Sequence, residues 1–280
     1  MKKIVLFIWI LISPLMAFSL FEDKASDKEY LEFVTLLKDV TIDTQKVRGL
    51  TNSFKNGNVA AQLLVYAQRE SLEKDISKVE GFITKYEVEE DISKEAKELI
   101  KKVRKWNSKA FRKESTAVFS GYTAIVESLI NLNGKFINTY FKKGDAKVYT
   151  TLTMMNETLL PLTENIGKLR GMGSGIVARG SCNENEAVTM KAFTVNIEKY
   201  RLEMQAYFKK HGCRRFSTRK LVEFDVKIAD YTKLVNEKVI GKEGIALDAN
   251  KYFDQGTACI SDVISIYDAM SEELAKQLSK

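Results

Sequence analysis

One short phrase occurs twice in this chain, and its residues could bind a charged ligand. The first copy reads Gln45-Lys46-Val47-Arg48-Gly49-Leu50-Thr51-Asn52 and the second Gly167-Lys168-Leu169-Arg170-Gly171-Met172-Gly173-Ser174. Each sets an Arg-Gly pair inside a helix-like stretch, and each stretch runs on to a glycine stop, Gly57 or Gly180. Glycine costs roughly 1 kcal/mol against alanine in mid-helix, and arginine is seldom buried without a partner. Two guanidinium forks facing one another across helices would justify both penalties by holding a small anion. A planar, delocalised oxyanion matches the fork, and two forks can share its oxygens.

On a helix, Arg48 shares a face with Gln45, Thr51 and Asn52, and Arg170 with Gly167, Gly173 and Ser174. Charge-assisted hydrogen bonds net about 1.5–3 kcal/mol each, so two arginines supply about 3–6. Micromolar binding needs about 8 kcal/mol. Thr51, Asn52 and Ser174 are therefore expected as further donors, and the candidate ligand set is Arg48, Arg170, Gln45, Thr51, Asn52 and Ser174. Arg48 has the more polar company and is expected to carry more of the binding, with the Arg170 copy supplying room. Without a ligand the two charges would repel and loosen the fold. The plainer reading makes each arginine a side chain at the core edge paired with an acid, and Gly49 and Gly171 packing notches. Arg179 lies about half a turn out of phase with Arg170 and is expected to cap a helix end, and Arg69 to lie on the surface.

The elements that must hold these residues read as helices. Pro161 is the only proline after Pro14, and strand-like alternation is missing, which favours long helices over β or α/β folds. Ser26-Asp27-Lys28-Glu29 is a capping box that starts helix 1, and apolar spacing carries it to Asn56-Gly57. Helix 2 restarts at Asn58 and ends near Tyr86. Helix 3 runs from about Ile92 to Phe111, and helix 4 stops at Lys143-Gly144. Helix 5 follows Asp145 and runs through the second phrase to Gly180, with Pro161 expected to kink or split it at Leu160. Helices 6, 7 and 8 span about Glu184 to Lys210, Thr218 to Val239 and Asp248 to Leu278. Eight helices on short turns predict an all-α, antiparallel up-and-down bundle. The two arginines stand 122 residues apart, so two stacked four-helix modules are expected, roughly 26–144 and 145–280, bridged by helices 4 and 5.

Met1-Lys2-Lys3, an apolar run from Ile4 to Ile12, and small residues at Ala17 and Ser19 read as a secretory signal peptide over 1–19 of the Sec type. The alternative is an uncleaved N-terminal anchor, since Ile4 to Leu20 approaches spanning length. No second such run follows, so residues 20–280 are expected to be exported into the periplasm or another extracytoplasmic space. The formal charge of +7 falls to about +5 without the leader lysines. It is spread out, with no basic block, which disfavours nucleic acid and suits a small anion. Cys182, Cys213 and Cys259 are an odd count. The helix between Cys182 and Cys213 would hold them roughly 40 Å apart, so no structural disulfide within the chain is expected. His211 and the scattered cysteines show no metal-ligand spacing. Neither cofactor nor metal is expected.

The phrase Gln45 to Thr51, followed by Phe54 and Gly57, is similar to the opening of the nitrate- and nitrite-sensing (NIT) domain family. Thr123 to Leu132, with Tyr122 and Val126, resembles that family's middle helix, Gly167 to Arg170 its second Gly-x-x-Arg segment, and Tyr252 to Ser261 its closing helix. The resemblance covers nearly all of 20–280 in order. It implies an all-α regulatory ligand domain, of a kind usually fused to kinases, chemoreceptors, cyclases or RNA-binding antiterminators. It also implies that Arg48 and Arg170 respond to nitrate or nitrite. The sequence departs from the family in Ser261 where Asp is common and in Lys168-Leu169 where Glu is common, and no output domain is expected after helix 8. Signalling to a separate membrane sensor kinase or chemoreceptor is therefore expected, and a homodimer is left open. Two alternatives remain: a chemoreceptor-like bundle for another small ligand, and a non-binding helical scaffold. An enzyme is not expected, because no nucleophile–base pair is visible and the only histidine stands at a helix end.

Overall fold

The computed structural model describes residues 24–279, so the signal-peptide reading of 1–19 lies outside the described residues. Helix α1 spans Asp27–Lys55 and starts on the expected capping box: the Glu29 amide donates to Ser26 Oγ, and the Ser26 amide donates to the Glu29 carboxylate at 2.8 Å. α2 covers Ala61–Lys85, three residues later than the sequence suggests, because Asn58 to Ala60 form a turn closed by the Ala61 amide on the Asn58 carbonyl. α3 spans Glu90–Lys109 and is followed by a 3-10 turn over Ala110–Arg112. Glu90 and Asp91 stand in its first turn, where the helix dipole favours negative charge. α4 covers Ser115–Tyr140. α7 spans Glu184–His211, α8 Thr218–Lys238 and α9 Ala249–Leu278.

The second Arg-Gly phrase lies on a helical run that is divided at Leu160, just before Pro161. α5 (Ala146–Met154) passes through a π-helical turn (Met155–Leu159) into α6 (Leu160–Arg179). Pro161 has no amide hydrogen to continue the ladder, and its ring crowds the carbonyl four residues back. The turn before it widens instead, with the Leu160 amide reaching back to the Met155 carbonyl. The helix then ends at Gly180, whose φ of 81° is a left-handed cap that only glycine adopts without strain.

Among the described residues the architecture is an all-α bundle. α1 packs on α2 and α4, with α3 laid on α4; α6 packs on α7 and α9, with α8 against both. The bridge between the halves is broader than helices 4 and 5. α1 lies on α6 and α9, and α4 lies on α5, the π turn and α6. One apolar core runs through both halves, from Phe33 and Leu37 to Ile166, Ile197 and Val263. α1 and α6 are consequently central and bury residues on several faces. This explains why their polar residues, Thr41, Thr44, Gln45, Arg48, Glu164 and Arg170, are inside. Thr41 and Thr44 resolve their burial locally by donating to the carbonyls of Leu37 and Val40. Cys182, Cys213 and Cys259 are free thiols. No described helix is long and apolar enough to cross a membrane.

Candidate anion-binding site

The α1–α6 contact brings the two copies of the phrase face to face. Arg170 Nη2 lies 3.3 Å from where a Cβ on Gly49 would stand, and Arg48 Nη2 lies 3.4 Å from the corresponding point on Gly167. Each guanidinium thus rests against a glycine of the opposite helix. These glycines are the space the arginines occupy, which explains why mid-helix glycine is tolerated here.

Two further helices clamp the pair in the same way. On α4, Thr123 Oγ1 accepts from Arg48 Nη1 at 2.8 Å, and the Phe119 ring carries Arg48 Cζ at 4.9 Å. On α9, Thr257 Oγ1 accepts from Arg170 Nη1 at 2.8 Å, and the Phe253 ring carries Arg170 Cζ at 4.5 Å. Phe and Thr are four residues apart in both, one helical turn, so ring and hydroxyl project from one face. The ring faces add cation–π attraction to each guanidinium. Phe119-x-x-x-Thr123 and Phe253-x-x-x-Thr257 form a second repeated phrase. Its signal was present as a repeat, but nothing local ties it to the arginines.

The clamps match, but the charges do not. Arg48 is 1% exposed, and its Nη1 and Nη2 both donate to the Glu164 carboxylate of α6, Nη2 at 3.0 Å. Arg170 is also buried, yet among the described residues no carboxylate reaches it, and its Nε has no hydrogen-bond partner. Burial lowers the Arg170 pKa to about 10, opposed in part by Tyr231 and assisted to a smaller extent by repulsion from Arg48. The two arginines therefore differ in charge surroundings. Arg48 already has an acid partner, and Arg170 is the cation with unused capacity. Arg48 is also no core-edge side chain reaching for solvent: it and its acid are both enclosed.

The other expected ligands divide. Gln45 and Thr51 are buried beside Arg48 on α1, and among the described residues Gln45 Nε2 and Thr51 Oγ1 find no partners. Ser174 and Asn52 have their polar atoms engaged within the protein. The Ser174 hydroxyl donates its proton to the Arg170 carbonyl at 2.7 Å. Asn52 Oδ1 accepts from Ser115 Oγ at 2.6 Å, and its Nδ2 faces the Gly171 carbonyl at 3.4 Å. Both residues line a half-open cleft of about 490 Å³, together with Gly49, Gly171 and Phe253. Since Gly49 and Phe253 also touch the Arg170 guanidinium, the cleft reaches within one residue of it. Arg179 bonds the Ser181 carbonyl and Glu186 at the helix end, as its phase suggests. Arg69, expected on the surface, is half-buried with its Cζ 4.5 Å from the Phe111 ring centre, because α2 packs its stem inward.

Gly173 fixes how closely α9 approaches. A Cβ there would stand 1.9 Å from the hydroxyl of Tyr252, a buried ring whose oxygen donates to the Leu169 carbonyl at 2.9 Å. Gly173→Ala is expected to destabilise by about 1–3 kcal/mol, the usual cost of overpacking. Gly175 has nothing within 4 Å of its Cβ position, so Gly175→Ala should instead gain roughly 0.5–1 kcal/mol from helix propensity. Urea unfolding of the two variants checks this. Equal effects would mean that Tyr252 does not pack against α6 as described.

No family model matches the chain. The membrane-associated protein TcaA of Staphylococcus epidermidis is 29% identical over 117 residues, 41% of this chain and 21% of that protein. The chain thus spans about a fifth of that relative's length. Among solved structures, the NasR transcription antiterminator superposes with a TM-score of 0.71 at 9% identity, covering 90% of this chain and 69% of that one. At that identity the likeness establishes a shared fold.

Proposed function

We propose that the protein is an extracytoplasmic helical sensor domain that binds a small oxyanion, nitrate or nitrite, at the α1–α6 seam and passes occupancy to a separate membrane partner. The observation that carries this reading is Arg170. Among the described residues it is a buried guanidinium with no acid partner and an unpaired Nε, set opposite a second arginine, and two residues packed on it, Gly49 and Phe253, line a cleft. An unpaired buried charge is costly, and an anion entering the seam would neutralise it. Gln45 Nε2 and Thr51 Oγ1 are unpaired groups on the same face of α1 as Arg48 and could add donors. The similarity of Gln45 to Thr51 to the NIT family supports nitrate or nitrite as ligand, and the fold shared with an antiterminator fits a family fused to such output domains. A membrane-associated relative supports a partner at the membrane and an exported location. Binding rather than catalysis is the role proposed. A plain scaffold is the second reading, and one observation favours it: Arg48 is already paired with Glu164. Arg170 is not accounted for by that reading.

Thermal unfolding with sodium nitrate against sodium chloride at equal ionic strength tests the proposal. A ligand at 100 times its dissociation constant adds about 2.7 kcal/mol, a rise of several degrees for a chain of this size. Absence of any nitrate-specific rise up to tens of millimolar would overturn it.

A further inference from the structure

The seam carries a charge asymmetry that its geometry does not require. The two Phe-x-x-x-Thr clamps are equivalent, and each arginine lies against the opposite helix's glycine. Yet six positions before its arginine α6 carries Glu164, whereas α1 carries Ile42. Glu164 is 2% exposed and holds Arg48 through both oxygens. Lys168 stands 3.6 Å from Glu164 and 2.7 Å from Glu127, which lies toward solvent. The cations Arg48, Arg170 and Lys168 are therefore balanced by Glu164 and Glu127, save for one charge.

We propose that Glu164 is the specificity-determining residue of the seam: by cancelling Arg48 it leaves room for one negative charge, so the site accepts singly charged oxyanions and rejects dianions such as sulfate. This rests on the seam being the oxyanion site. One monovalent anion brings the seam to neutrality. A dianion would leave a surplus negative charge in a buried place, beside the Glu164 carboxylate, where charges are weakly screened. Discrimination by an opposing charge is a recurring way to refuse an unwanted ligand.

The test compares sodium nitrate with sodium sulfate by thermal-unfolding titration of the full chain at matched ionic strength. Sulfate stabilises proteins generally by exclusion from their surface, so Arg170→Met protein supplies the baseline to subtract. Wild type is expected to bind nitrate at least about tenfold more tightly than sulfate, and Glu164→Gln to shift that ratio toward sulfate by about tenfold or more, as one added buried charge implies. An unchanged ratio in Glu164→Gln overturns the inference while leaving nitrate binding intact. Wild type that binds neither anion overturns the oxyanion reading itself, and this inference with it. If Glu164→Gln does not fold, Lys168→Met decides. It removes one positive charge beside Glu164, so the ratio should move further toward nitrate by severalfold. An unchanged ratio there overturns the inference.

Discussion

Replacing Arg170 with methionine is expected to raise the melting temperature of the empty protein and to abolish its response to nitrate. The guanidinium is buried with its Nε unpaired, and an unsatisfied buried group costs on the order of 1–3 kcal/mol, more when charged. Thr257 and the Phe253 ring offset part of this. Burial lowers the Arg170 pKa to about 10, below its ordinary value. The folded state thus disfavours the proton relative to the unfolded chain, the penalty is in full force at neutral pH, and it eases only as the pH rises past that value. Methionine fills much of the same space with an adaptable apolar chain. Calorimetric melting with and without nitrate reads both effects, at about 2–4 °C per kcal/mol for a chain of roughly this size. A lower melting temperature with the nitrate response intact would show that Arg170 serves packing alone.

Glu164→Leu is expected to act in the opposite direction, lowering stability by about 3–5 kcal/mol. That is the usual cost of removing one partner of a buried ion pair, because the other charge is stranded. Arg48 and Glu164 side chains are 1% and 3% exposed, so water cannot replace the lost carboxylate. Lys168 would keep Glu127 as its partner. Adding Arg48→Met should recover most of the loss, since an apolar pair of similar volume often matches or exceeds a buried ion pair. Urea midpoints at constant slope measure both variants. A single variant as stable as wild type would show that Arg48 does not depend on Glu164.

The fold was largely legible because its signals are local. Ser26 and Glu29 cap α1 through groups three residues apart, and Gly180 ends α6 by a dihedral preference of its own. Pro161 announced a break. What it could not announce was the outcome, because whether a helix kinks or widens into a π turn depends on what packs beside it. α4, α7 and α9 all lie against that turn.

The candidate site was legible in part. The sequence by itself determined that two arginines sit beside glycines on helices, with Gln45 and Thr51 on the Arg48 face, because helical periodicity follows from spacing alone. It could not say which arginine would be neutralised. The partner of Arg48 lies 116 residues away, and the clamping threonines lie 75 and 87 residues from their arginines. No local rule reaches across such separations. Polar company in sequence pointed to Arg48 as the stronger ligand, yet Asn52 and Ser174 spend their polar atoms on Ser115, Gly171 and Arg170. Tertiary packing decided the charge balance by placing Glu164 of α6 on Arg48 and, among the described residues, nothing acidic on Arg170. A buried charge is governed by what surrounds it in space, and α1 and α6 obtain those surroundings only when the two halves of the bundle close on each other.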